Sequence, residues 1–254
     1  IIKNLETRDK FLRRQMTIIE GDLYNASKLR ESQFNLKRYP FIKEVKITSK
    51  EGGAYNKMIL NVEIEEQERS GTISVGLALS TVENFSFMAQ VQQTNLFGYG
   101  WTINFRALLG SRSKIFNINF IDPYFLDTDF SLSLQAFNEE VEYRDFTPTR
   151  RGGRVYLGYP IYKNLYRLNF GYNFESVVIS NVAQAQKSLI KGGLTNSVTT
   201  GIYRDTRDRF GYFETREGSL TYLSGEFAGG PILRGDNSFG KLTFEHRKFV
   251  PVFN

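Results

Sequence analysis

The 254-residue chain has no cysteine and a single histidine, His246. The first absence excludes a disulfide scaffold, a thiolate metal site and a cysteine nucleophile. The second excludes any catalytic or metal centre that needs two imidazoles. No apolar run approaches the ~18 residues of a membrane-crossing helix, and mean hydropathy is −0.35. A transmembrane β-barrel stays open to this sequence, because its strands alternate and average to a polar value. There is also no basic patch. The 33 Lys and Arg exceed the 27 Asp and Glu, but acids interleave with bases along the whole chain. Nucleic-acid binding needs clustered cations to displace phosphate counterions, so no nucleic-acid partner is expected.

What is present divides near Ser70–Gly71. Six aromatic side chains lie in residues 1–70 and thirty-one lie beyond. The sequence therefore predicts two domains, residues 1–69 and 70–254. In the first, Thr7 through Met16 reads as a short helix with Thr7 as N-cap and Phe11 and Leu12 buried. Asn25 can cap a second helix running to about Tyr39, with Ala26, Leu29 and Leu36 on one stripe and Pro40 as its stop. Val45–Ser49 and Lys57–Glu65 read as strands around a Glu51-Gly52-Gly53 turn, and Ile1-Ile2 as the tail of an earlier strand. This is a small α+β module without a nucleophile–base pair, so a binding or spacer role is expected.

From Gly71 onward the hydrophobic period is two. Ile73, Val75, Leu77 and Leu79 alternate with small or polar residues, as do Phe85–Val91, Trp101–Ala107, Phe116–Phe120 and Phe130–Leu134. Further strands are read at Val155–Ile161, Tyr166–Phe174, Val198–Arg204, Leu220–Gly225 and Phe239–Phe249, ten in all. Alternation does not say which face meets solvent. A membrane barrel is favoured by charges on the polar face (Arg106, Arg167, Arg204) and by aromatics at strand ends. Trp101, Tyr124, Phe125, Tyr166 and Phe249 would sit at headgroup level. A third argument is alternation of connection length. Near-side turns are read at Asn95–Gly100, Asp122–Asp129 and Lys163-Asn164, with longer far-side loops at Glu139–Gly153, Glu175–Leu194 and Glu226–Ser238. A soluble all-β domain is the competing fold.

Several segments invite a chemical reading and also have a plainer one. Asn95–Gly100 has the glycines of a phosphate loop, but no lysine or following helix, so it reads as a tight turn. Arg204-Asp205-Thr206-Arg207-Asp208-Arg209 reads as a solvated ion-pair ladder rather than a carboxylate pair. Glu139, Glu140 and Glu142 read as a solvated outer-loop run, with divalent cations beside lipopolysaccharide as the alternative. His246 falls on an apolar strand face with Leu242 and Phe244, a packed or interfacial position.

Leu12-Arg13-Arg14-Gln15 with Glu20-Gly21, and Phe41-Ile42-Lys43-Glu44-Val45, resemble segments of a POTRA domain. Gln92 through Gly100, Asp122-Pro123-Tyr124-Phe125 and Gly153 through Ile161 resemble the second-strand turn, fourth-strand turn and sixth strand of BamA-type outer-membrane assembly factors. The resemblance implies a last POTRA module, its first strand largely missing, joined to the N-terminal part of an antiparallel transmembrane β-barrel. Family barrels have about sixteen strands against ten here, so the chain is expected to be part of a longer barrel. Arg234-Gly235-Asp236 has letters similar to the family's lumen motif, but precedes its place and does not inherit its role.

The implied function is insertion of β-barrel proteins into the bacterial outer membrane, with no enzyme activity and no cofactor. The matching seam strand is Gly71, Thr72, Ile73, Ser74, Val75, Gly76, Leu77, Ala78, Leu79 and Ser80, whose exposed backbone would template incoming strands. Implied partners are unfolded outer-membrane proteins, accessory periplasmic lipoproteins, membrane lipid and lipopolysaccharide. The module would lie in the periplasm. The alternative is a two-partner secretion pore or a passive channel.

Overall fold

The computed structural model describes residues 1–2, 5–53, 55–80, 84–162, 165–183, 191–207, 215 and 217–251. The chain forms two compact units. The first comprises Ile1–Gly71 together with Gln93–Trp101; the second holds the rest of a large sheet from Thr72 onward.

In the first unit, α1 (Asp9–Arg14) and α2 (Ala26–Lys37) pack on a two-stranded antiparallel ribbon, β1 (Ile42–Glu51) and β2 (Met58–Glu66). Ile2 adds a parallel bridge to Glu63, its N–H donating to Val62 O at 3.0 Å. The core is the apolar side of these elements: Leu12, Leu36 and Ile64 are wholly buried, with Phe11, Phe41, Val45 and Val62 around them. Asn25 caps α2 as expected, its Oδ1 accepting from the Ser27 and Lys28 amides at 2.9 and 3.1 Å. The buried stripe differs by one position. Ala26 is exposed, and Ser32 fills the place between Leu29 and Leu36, its hydroxyl donating to Lys28 O and accepting from Thr17 N. A hydroxyl bonded at both sites loses little on burial, which is why a polar residue serves there.

Thr7 does not cap α1. Arg8 is the N-cap, without a side-chain cap bond, and Thr7 is buried with its hydroxyl engaged elsewhere. The loop before the helix is held by Glu66. Its carboxylate accepts from the amides of Leu5, Glu6 and Thr7 at 3.0, 2.8 and 2.9 Å.

The second sheet has ten antiparallel strands in sequence order: β3 (Gly71–Ser80), β4 (Asn84–Leu96), β5 (Trp101–Gly110), β6 (Ser113–Asp122), β7 (Ser131–Val141), β8 (Thr147–Tyr162), β9 (Tyr166–Ser180), β10 (Gly193–Asp205), β11 (Gly218–Ala228) and β12 (Phe239–Phe249). All ten expected strands are present, and most run longer than their apolar stretch. The largest departure is at Glu139–Gly153, expected as an outer loop. Here β7 continues to Val141 and β8 begins at Thr147, because Glu139 pairs across the strands with Arg150. That far-side connection is only residues 142–146, closed by Tyr143 N–H donating to Phe146 O at 2.9 Å. The near-side connection after β6 is longer, residues 123–130, with a 3-10 turn at Phe125–Asp127. Connection length therefore alternates less cleanly than expected. Lys163-Asn164 lies outside the described residues.

Candidate strand-docking edge and the two faces of the sheet

From β5 to β12 the register assigns each paired position to one of two faces. Phe105, Ile118, Ala136 and Gly153 lie in one cross-strand row, and Leu134, Val155, Tyr172, Val198 and Phe227 in the next. This face also carries Leu168, Phe170, Leu242 and Phe244, and on β3 the alternating Ile73, Val75, Leu77 and Leu79 are between 65% and 82% exposed. Large apolar side chains left open across a whole sheet face suit contact with lipid rather than water.

The opposite face is polar and bonded strand to strand. Arg150 grips Glu175 with two parallel bonds of 2.9 and 3.0 Å, and Arg154 lies 3.8 Å from the same carboxylate. Arg154 also donates to Asn173 Oδ1 at 3.0 Å. Asn173 Nδ2 donates to Ser197 Oγ at 3.4 Å, whose hydroxyl donates to Glu226 at 2.7 Å. At the other end Asn117 donates to Glu139, 3.8 Å from Arg150. A chain of polar side chains thus spans β6 to β11 on one face. Buried or half-buried ions are tolerated only when paired in this way.

Three sequence expectations change against this register. Arg204 sits on the apolar face, opposite Tyr166 and in line with Ile202. It lies one residue from the end of β10, where a long side chain can carry its charge beyond the apolar rows. Phe249 shares the polar face with Thr243, Glu245 and Arg247, so it leaves the set of lipid-facing aromatics. Glu139 and Glu140 are strand residues paired with Arg150 and Lys114, not a solvated loop run. Their charge is already answered by cations of the chain.

The remaining flagged groups fall into place. His246 is exposed on the apolar face, with Nδ1 2.9 Å from Thr221 Oγ1. Asp205 accepts from Arg207 Nε and Nη2, both at 2.8 Å, while Asp208 and Arg209 lie outside the described residues. Arg234-Gly235-Asp236 belongs to a far-side loop that folds back on the start of β10. Asp236 accepts from Leu194 N at 2.7 Å, and Asn196 donates to Leu233 O.

The seam candidate, Gly71–Ser80, is β3, which has β4 as its neighbour and stands at one end of the sheet order. Among the described residues β3 is paired on one side only, and β12 stands at the other end of the order. Packing of β3 on β4 is light at Gly76, where a Cβ would meet only Met88 Cε at 3.7 Å. Trp101 stacks on Tyr99 with ring centroids 4.6 Å apart, and Trp101 and Tyr166 lie at the near ends of β5 and β9. Tyr124 and Phe125 occupy the near-side turn after β6.

Composition alone did not reveal the Asn95–Gly100 turn as more than a turn. Asn95, Phe97, Gly98 and Gly100 all have left-handed backbone, with φ of 57, 55, 75 and 75°. The glycines also permit close approach: a Cβ at Gly98 would stand 2.1 Å from Glu6 O, and one at Gly100 2.2 Å from the Phe11 ring. The turn is thus built into the first unit.

A family model for the Omp85 superfamily domain matches residues 95–254. A POTRA model, described as a surface antigen variable number repeat, matches residues 1–67. Among curated proteins, the outer membrane protein assembly factor BamA of Nitratidesulfovibrio vulgaris is 25% identical over 248 residues, 97% of this chain and 31% of that protein. BamA of Neorickettsia risticii is 26% identical over 263 residues, 99% of this chain and 34% of that one. Among solved structures, BamA from Haemophilus ducreyi lacking POTRA domains 1-3 gives a TM-score of 0.69 at 20% identity, over 94% of this chain and 48% of that. CdiB from Escherichia coli gives 0.63 at 14%, over 98% and 49%. The chain spans about a third of the length of the curated relatives it matches. With a POTRA module followed by ten antiparallel strands of the matching fold, the chain belongs to the Omp85 superfamily.

Proposed function

We propose that this chain acts in the assembly of β-barrel proteins into the bacterial outer membrane, with β3 as the edge that templates incoming strands. The observation that carries the reading is β3 itself, whose apolar side chains are exposed, which is lightly packed at Gly76, and which among the described residues pairs with β4 alone. Its relatives are named as assembly factors of outer-membrane proteins. An incoming strand brings unpaired N–H and C=O groups into lipid, each costing several kcal/mol unless bonded (of the order of 2–7). An edge of ten residues offers partners for them, and its apolar face continues that of the newcomer.

On this reading the chemistry is carried by backbone groups. The partners are unfolded outer-membrane proteins, with accessory lipoproteins meeting the POTRA module on the periplasmic side. Lipid and lipopolysaccharide meet the apolar face, where Trp101, Tyr124, Phe125 and Tyr166 anchor the near end at headgroup level.

The test is the folding rate of a urea-unfolded outer-membrane protein in liposomes carrying the full-length protein. A variant with a disulfide clamping β3 to the last barrel strand is run beside it. Acceleration abolished by the clamp and restored by reductant is expected. Absence of acceleration together with single-channel conductance would favour a secretion pore.

A further inference from the structure

Within the first unit, the side chain of Asn95 both closes the turn at Asn95–Gly100 and joins it to the segment before α1. Asn95 Nδ2 donates to Thr7 Oγ1 at 2.7 Å, while its Oδ1 accepts from Gly100 N at 2.9 Å. Arg8 N–H donates to Gly98 O at 3.0 Å, and its guanidinium lies 3.7 Å from the Tyr99 ring centroid. Tyr99 in turn stacks on Trp101. Just before the turn, Thr94 donates to Ser70 O through both its amide (3.0 Å) and its hydroxyl (2.8 Å), and Gln93 Nε2 donates to Ser70 Oγ at 2.6 Å. Thr7 and Asn95 are 2% and 5% exposed, so their bond is made away from water. Ser70 is the residue before β3, and Thr94 and Asn95 are the last turn of pairing in β4.

Two adjoining sets of bonds therefore act in series inside the first unit: Thr7 and Arg8 hold the turn that ends β4, and Gln93 and Thr94 of β4 hold Ser70 at the base of β3. Left-handed Asn and Gly are ordinary in a hairpin turn, but a turn that only connected two strands would need neither the buried Asn95–Thr7 bond nor glycines closed against Glu6 and Phe11. We propose that this clasp is a positioning device for strand capture: Thr7, Arg8 and Asn95 fix the end of β4, Gln93 and Thr94 pass that hold to Ser70, and the templating strand β3 is offered from a fixed base. This inference rests on the assembly reading above and names what positions its working strand.

The experiment uses the full-length protein in liposomes, following the folding rate of a urea-unfolded outer-membrane protein. In Arg8→Cys/Tyr99→Cys the clasp loses a backbone-adjacent cation and its ring, and acceleration is expected to fall about tenfold. Bridging the two thiols with a short bis-methanethiosulfonate restores the rate, and reductant reverses the restoration. These 254 residues contribute no other thiol, and any cysteine elsewhere in the full-length protein is first replaced by serine. Thr7→Val, which removes the acceptor for Asn95, slows assembly in the same sense, and Thr7→Ser rescues it. The proposal is overturned if the unbridged pair and Thr7→Val run at the wild-type rate, or if bridging abolishes acceleration because the clasp must open. If the wild-type protein does not accelerate folding at all, the assembly reading fails instead. Hydrogen exchange then decides the clasp on its own: protection of residues 93–101 lost in Thr7→Val supports a fixed base, and none in the wild type refutes it.

Discussion

Replacing Glu66 with Gln changes one charge and almost no volume, and it strikes the loop before α1 at its only carboxylate support among the described residues. Two amides, Leu5 and Glu6, donate to Oε2, and Thr7 donates to Oε1. An amide side chain keeps a single acceptor oxygen. Either Thr7 or the Leu5–Glu6 pair must then face an NH2 group that cannot accept. Bonds to a charged acceptor contribute about 1.5–3 kcal/mol each, toward the low end here because Leu5 and Glu6 are exposed, so a loss of about 2 kcal/mol is expected. Leu5 is 90% exposed, so the segment has little apolar packing to fall back on.

The opening is local, and the assay should be local too: millisecond hydrogen exchange of the amides of residues 5–8 in detergent. A 2 kcal/mol loss lowers protection about 30-fold. Glu65→Gln is the internal control, one residue away and with the same change of charge. Glu65 pairs with Lys43 on the exposed side of the ribbon, where a salt bridge adds under ~1 kcal/mol. Equal exchange in the two variants would refute the claim that the carboxylate, rather than the general charge of the ribbon, organises this loop.

Leu36→Ala removes a wholly buried side chain from the module core and should lower its stability by about 3 kcal/mol, read as a shift in the urea midpoint of the module's unfolding. Gly152→Ala would place a Cβ 2.1 Å from Phe174 O and 2.9 Å from the Phe137 ring, whereas Gly76→Ala meets only Met88 at 3.7 Å. The first should reduce the fraction of heat-modifiable folded barrel on cold gels and the second should not. The Arg13 guanidinium bonds Glu20 and, with Glu20's own amide, holds its carboxyl below the ordinary range. A depressed carboxyl stabilises the fold above its unfolded value of about 4.3 and loses that effect as pH falls through the lower folded value. NMR titration of Glu20 should show that depression in the wild type and a smaller one in Arg13→Gln, where only the amide bond remains.

The sheet was legible because strand alternation is a local property. Ile73 through Leu79 and Phe116 through Phe120 announce period two without reference to any partner, and all ten strands are there. Strand ends were not legible, because they depend on the neighbour. Glu139 and Arg150 look like loop residues alone and become a rung only when set opposite each other. Arg204 and Phe249 were misplaced for the same reason: near a strand end, chemical type suggests one face while register dictates the other. The role of Thr7 was hidden because its partner, Asn95, is 88 residues away. No local signal announced it, because Asn and Gly are what an ordinary hairpin turn selects.

The polar stitching has a mechanical corollary. Side-chain bonds run from Asn117 on β6 through Arg150, Glu175 and Asn173 to Glu226 on β11. On β3, the described side-chain bond is a long one, Ser86 Oγ to Ala78 O at 3.5 Å. Bending stiffness should therefore be graded across the wall, high over the middle strands and low toward its first margin. Stress from a curved or thinned bilayer would then gather at that compliant margin, much as a sheet of card creases along its unribbed side. A protein with this gradient would deform in one predetermined place while the rest of its wall kept its shape.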